Sequence, residues 1–143
     1  LTLAADLDAT VPRTIISDRS RLRHLLQILL GNAIKFTLAG GVTLRARGEV
    51  TPGRPAQLRV EITDTGPGFE ADLLPRLFEP FNQADGSMSR RHGGLGLGLA
   101  LARQIVRRLG GDIGAHNNPA GGAVVWFTVP FRPADPAPLP PAA

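Results

Sequence analysis

The stretch LLQILLGNAIKFT, residues 25–37, decides how the rest of the chain is read. Leu25, Leu26, Leu29, Ala33 and Phe36, with Leu22 a turn earlier, recur at helical spacing and form one apolar face. Asp18 or Ser20 can N-cap this helix, which the pattern places over residues 19–37 before AGG ends it. Ile28, Asn32 and Lys35 stand at i, i+4 and i+7 and share a stripe. Lys35 is the only lysine among 16 basic residues. Mg²⁺ takes few protein ligands, oxygen among them, and is completed by phosphates and water. Lysine meets phosphate as a flexible point charge. The stripe therefore suits Mg²⁺ with a triphosphate. The competing reading is a solvated edge along which Lys35 snorkels.

Outward from the helix, VTLRAR and QLRVEITD alternate with a period of two and flank TPGRP, which predicts a hairpin. In the second strand Leu58, Val60 and Ile62 share the core face, and Asp64 has their parity. A carboxylate on that face needs a donor, because burying it unpaired costs several kcal/mol, roughly. The DTGPGF that follows supplies Gly66 and Gly68, which permit positive φ and close backbone approach. A plain turn in which Asp64 caps its own loop is the alternative.

LTLAADL and TIIS read as strands before the helix, and a short helix is expected over residues 70–77. Residues 79–94 lack periodicity. Phe78 and Phe81 flank Glu79-Pro80 there, and the stretch looks like a lid anchored by aromatics or a plain loop. Gly93, Gly94, Gly96 and Gly98 then run into a second long helix over residues 97–109. Bare N–H groups and a helix N-terminus aimed at one region make an anion site. The spacing is neither a Walker loop nor G-x-G-x-x-G. DIGAH and AVVWFTVP close the body as two strands. The order of elements, with strands in adjacent antiparallel pairs, predicts an α/β (α+β) two-layer sandwich, a mixed and mostly antiparallel sheet with helices on one face.

Composition agrees with one globular body over residues 1–132. Of the 143 residues, 43% are hydrophobic and 20% charged. PADPAPLPPAA, residues 133–143, cannot bury a core and reads as a linker or tail. The net charge is +4, but the arginines are scattered, with RR only at 90–91 and 107–108, so no nucleic-acid footprint is expected. There is no cysteine, which excludes thiol chemistry and Cys-type zinc sites. The three histidines lack metal-ligand spacing. No apolar run approaches the ~18 residues a membrane span needs.

In order and spacing, GNAIKFT, DTGPGF, LFEPFNQAD and RRHGGLGLGLALA resemble the N, G1, F and G2 boxes of the ATP-binding catalytic domain of sensor histidine kinases. That domain belongs to the GHKL superfamily with the Bergerat ATP-binding fold, and the resemblance covers nearly all of residues 1–132. It implies that Asn32 ligates Mg²⁺ and that Lys35 contacts the phosphates of ATP. It implies that Asp64 accepts the exocyclic amine of adenine, with Gly66 and Gly68 letting the backbone approach the base. Phe78 and Phe81 would hold the lid, and Arg90 or Arg91 would reach the γ-phosphate. Gly94, Leu95, Gly96, Leu97 and Gly98 would line the triphosphate.

The implied reaction is γ-phosphoryl transfer from Mg-ATP to a histidine on a separate phosphoacceptor domain, with a response regulator or receiver domain downstream. No histidine here begins an H-[ED]-x-R-x-P-like motif, so the acceptor helix pair is expected before Leu1. The fragment alone is expected to be monomeric, in the cytoplasmic part of a membrane-bound sensor. Two departures from the pattern shape the expectation. Ile28 stands where GHKL hydrolases such as gyrase carry a water-activating Glu; it can neither accept a proton nor orient water. Gln27 lies ~140° away around the helix. Ala123 and Val124 offer no hydroxyl where the family commonly has Ser or Thr, which predicts weaker adenine binding. The rival functions are a degenerate regulatory module that holds nucleotide weakly or not at all, and a steady ATP hydrolase.

Overall fold

The computed structural model describes residues 1–12, 15–37, 39–79 and 95–133. Its elements are β1 (Thr2–Leu7), β2 (Ile15–Ile16), α1 (Arg19–Phe36), β3 (Gly41–Glu49), β4 (Ala56–Asp64), a 3₁₀ turn (Leu74–Arg76), α2 (Leu95–Arg108), β5 (Asp112–Asn117) and β6 (Ala123–Pro133).

Asp18 caps α1, its side chain accepting the Arg21 N–H at 3.0 Å. Leu25, Leu29 and Ala33 are buried at successive helical turns, and Leu99, Ala102 and Val106 do the same from α2. Both helices lie on one face of the sheet, over Val42 and Ala46, Leu58, Val60 and Ile62, and Phe127, Val129 and Phe131. Those strand residues are alternate positions whose ladder partners also match, Val60 opposite Phe127 and Leu58 opposite Val129. The period-two pattern thus fixes both the core face and the register.

The sheet order is β1-β3-β4-β6-β2, with β5 also on β6. The β3–β4 hairpin turns at Gly53 (φ 79°), where Arg54 N–H donates to Thr51 O at 3.1 Å. The two-layer architecture with helices on one face is as expected from the sequence, and so is the mostly antiparallel sheet. Three particulars differ. β1 does not pair with β2: it lies parallel to β3 at one edge, and β2 is a two-residue strand on Arg132 and Pro133 at the other. The helix expected over 70–77 is a single 3₁₀ turn, because Pro75 lacks the N–H that a longer helix would need. β6 extends through Pro133, one residue into the expected tail; residues 134–143 lie outside the described residues. Among the described residues no helix is long and apolar enough to cross a membrane.

The helix-free face is charged. Asp6, Asp8, Arg45, Arg47, Arg59 and Glu61 line a shallow cavity of about 150 Å³ there. Arg59 pairs with Glu61 at 3.1 Å and lies 4.6 Å from the ring centroid of Trp126. The indole lies against Gly114, where a Cβ would come within 2.5 Å of it. At the edge, Asp8 Oδ1 accepts both the N–H of Thr10 (2.8 Å) and its hydroxyl (2.7 Å), while Thr10 Oγ1 accepts the N–H of Gly48 (2.8 Å). The Thr10 N–H and then its hydroxyl hold the Asp8 carboxyl below its ordinary 3.8; burial opposes them, and the charge of Arg47 adds a lesser pull in the same downward direction.

A group depressed on folding stabilises fully above its unfolded pKa and loses that effect as pH falls through its folded pKa. Asp8→Asn is therefore expected to lower the thermal midpoint at neutral pH. The gap to wild type should close as pH falls below 3.8, read by circular dichroism melts across pH.

Candidate functional site

Two polar positions of the sequence meet the described structure from different elements. Asp64 ends β4 with its side chain on the core face, opposite Val42. Its Oδ1 accepts the N–H of Gly66 at 2.9 Å and that of Ala123 at 3.3 Å. Asp64 therefore caps its own loop and also ties that loop to β6. These bonds occupy Oδ1 alone among the described residues. Ala123 reaches the carboxylate through its main chain, so the missing hydroxyl does not remove the contact between β6 and Asp64. The positive φ falls on Gly68 (80°).

The second position is the stripe on α1. A Cβ placed on Gly98 would stand 3.3 Å from Asn32 Nδ2 and 3.7 Å from Ile28 Cγ2. Gly98, in the first turn of α2, thus packs against the Ile28–Asn32 face of α1. Glycine at 98 lets the carboxamide lie close to a helix N-terminus, whose free N–H groups favour anions. α2 starts at Leu95, two residues before the expected start. Asn32 Nδ2 and Thr37 Oγ1 are buried with no hydrogen-bond partner among the described residues. Leaving a buried polar group unpaired costs about 1–3 kcal/mol, so such an atom at a helix crossing calls for an explanation. Lys35, in the last turn of α1, is exposed. Phe78 packs partly buried against the core. Phe81, Arg90, Arg91 and Gly94 lie outside the described residues, as does most of the expected lid.

Sequence reasoning missed the residues that hold the Asp64 loop. Thr65 Oγ1 accepts the N–H of Gly41 at 2.9 Å and fastens the loop to the start of β3. Asn117, at the end of β5, accepts the N–H of Phe69 at 2.8 Å and donates to Phe69 O at 2.7 Å. Gly122 (φ 86°) lies so close to the Asp64 carbonyl oxygen that a Cβ there would collide with it. The only local signal was NNPAGG, which reads as an ordinary turn.

The family described as histidine kinase-, DNA gyrase B- and HSP90-like ATPases matches residues 17–133, which takes in every element of this site. The chain belongs to that family. Among curated relatives of this ATPase domain, the signal transduction histidine-protein kinase BarA of Escherichia coli (strain K12) is 40% identical over 129 residues. The match covers 90% of this chain but 14% of BarA. The sensory/regulatory protein RpfC of Xanthomonas campestris pv. campestris is 42% identical over 127 residues, 88% of this chain and 18% of RpfC. The crystal structure of full-length ShkA in complex with AMPPNP superposes with a TM-score of 0.74 at 38% identity. It covers 93% of this chain and 26% of that one. The fold expected from the sequence is thus the fold of histidine kinase ATPase domains, and the chain spans a small part of the length of these relatives.

Proposed function

We propose that this domain binds Mg-ATP and delivers its γ-phosphoryl group to a histidine on a separate phosphoacceptor domain, with a receiver domain or response regulator next in line. The observation that carries this reading is the buried, unpaired Nδ2 of Asn32 beside Gly98 in the first turn of α2. An N–H donor buried without a partner among the described residues, beside a helix N-terminus that favours phosphate, suits a phosphate oxygen, and Oδ1 of the same carboxamide is the atom that could ligate Mg²⁺. Asn32 would hold the Mg²⁺, Lys35 would neutralise phosphate charge, and the backbone of residues 94–98 would line the triphosphate. The metal would supply charge neutralisation of the phosphates. Asp64 would accept the adenine amine, a choice that disfavours guanine, which presents an acceptor there. The AMPPNP in the ShkA complex supports an adenine nucleotide as the ligand class.

Phosphoryl transfer asks the protein mainly for positioning and charge stabilisation. Ile28 favours transfer over hydrolysis, because the residue packed beside Gly98, one turn before Asn32, has no proton acceptor. A cytoplasmic setting follows from a need for ATP.

Incubation of the chain with labelled ATP, Mg²⁺ and a phosphoacceptor domain from its own parent protein tests the reaction. Label on the acceptor histidine with little free phosphate is expected. Free phosphate without acceptor label would replace transfer by hydrolysis.

Asp64→Asn probes the base site. Its amide oxygen can still accept from Gly66 and Ala123, so the fold should persist. The NH2 then replaces the oxygen left for adenine and meets the base amine donor to donor, so that bond is lost and ATP affinity should fall by about tenfold or more by calorimetry.

A further inference from the structure

We propose that Asn117 is a positioning residue for nucleobase recognition: it sets the Asp64 loop at the height and tilt that the base requires. The proposal rests on the reading of Asp64 as the adenine acceptor and adds a residue that does not touch the ligand.

The Asn117 carboxamide pairs with both polar atoms of Phe69, Oδ1 with the N–H at 2.8 Å and Nδ2 with the carbonyl at 2.7 Å. A planar amide thereby imitates one rung of a β-ladder where the chain itself has left the sheet. Gly68, directly before that rung, takes φ 80°. A Cβ on it would come within 2.8 Å of Asn117 Oδ1 and 3.2 Å of Gly122 O. Asn117 and Gly122 therefore form a seat that only glycine fills. The far end of the loop is fastened to the same hairpin, through the Ala123 N–H on Asp64 Oδ1.

The hairpin is itself braced. Asn118 N–H donates to Gly122 O at 2.9 Å, Gly121 N–H to Asn118 O at 2.8 Å, and Ala120 N–H to Asn118 Oδ1 at 3.2 Å. The loop from Asp64 to Phe69 is thus stitched at both ends to a rigid β5–β6 turn. Among the described residues, the Asn117 stitch is the one made by a side chain from outside the loop. A carboxamide is required for it: Asp would turn a second acceptor toward Phe69 O, and Ala offers nothing.

The phosphate side of the site, Asn32 and the first turn of α2, receives no contact from Asn117 among the described residues. Loss of Asn117 should therefore weaken recognition of the base and spare recognition of the phosphates. The test measures the affinity of the full chain for ATP and for inorganic triphosphate, each with Mg²⁺, in wild type, Asn117→Ala and Asn117→Asp. The expected result is a fall of about tenfold for ATP in both variants, with triphosphate affinity unchanged. In a transfer assay KM for ATP should rise while kcat at saturation holds. Equal losses for ATP and triphosphate would mean a general structural role and overturn the proposal. Unchanged ATP affinity in both variants would overturn it and leave the Asp64 assignment standing. If wild-type protein binds triphosphate but gains nothing from adenosine, the Asp64 reading falls and this one with it.

Discussion

Asn32→Ala should abolish Mg²⁺-dependent ATP binding while leaving the apo domain as stable as wild type or more so. The two effects have one origin. Nδ2 of Asn32 is buried with no partner among the described residues, a state that costs the empty fold about 1–3 kcal/mol. Alanine removes the orphan and is also the better helix former, worth a further few tenths of a kcal/mol, roughly. The lost ligand should lower nucleotide affinity in Mg²⁺ by about 100-fold or more, since even outer-shell partners of a metal are worth 10–100-fold, roughly. Without Mg²⁺ the variant and wild type should differ little. Paired melts and calorimetric titrations read both quantities. A variant that loses stability together with binding would mark Asn32 as an ordinary packing residue.

Gly122→Ala should be the most damaging single-methyl change in the β5–β6 turn. Gly122 takes φ 86°, which already costs a non-glycine residue about 1–3 kcal/mol. Its new Cβ would also collide with the carbonyl oxygen of Asp64, main chain that cannot swing aside as a side chain would. A loss of about 3 kcal/mol is expected, equivalent to a fall in thermal midpoint on the order of 10 °C. ATP affinity should fall with it, because the collision pushes at Asp64 itself. Gly121→Ala is the matched control. Gly121 also has positive φ, 110°, but a Cβ there meets nothing within 4 Å, so only the backbone strain of about 1–3 kcal/mol remains, without the collision. Similar losses in the two variants would show that strain alone governs the turn.

What could be read from the sequence follows the range of the interactions. α1 was legible because its signals are local: Asp18 at the cap, leucines at helical spacing, and Asn32 on the same stripe as Ile28. The β3–β4 hairpin was legible for the same reason, its two alternating runs flanking a turn centred on Gly53. The partner of β1 was not. Its parallel ladder with β3 joins residues separated by all of β2 and α1, and nothing in LTLAADL distinguishes that partner from the nearer TIIS. The 3₁₀ turn was misread as a helix because the apolar spacing of residues 70–77 outweighed the one residue, Pro75, that stops it. In the site, Asp64 showed itself by parity, a carboxylate on a core face. Asn117 gave no such sign. Its partner lies 48 residues away, and an asparagine opening the NNPAGG turn has an ordinary local explanation. The residues proposed for chemistry were visible from their pattern, and those that hold them in place were visible only from the folded contacts.

The central claim is an adenine-nucleotide site built from the Asp64 loop and the Asn32 stripe. Titration of the chain with ATP and with GTP, each with and without Mg²⁺, tests it most directly. ATP should bind in Mg²⁺ and lose most of its affinity when the metal is chelated, and GTP should bind no better than inorganic triphosphate. Equal affinity for ATP and GTP, or no heat from ATP at millimolar nucleotide, would contradict the account.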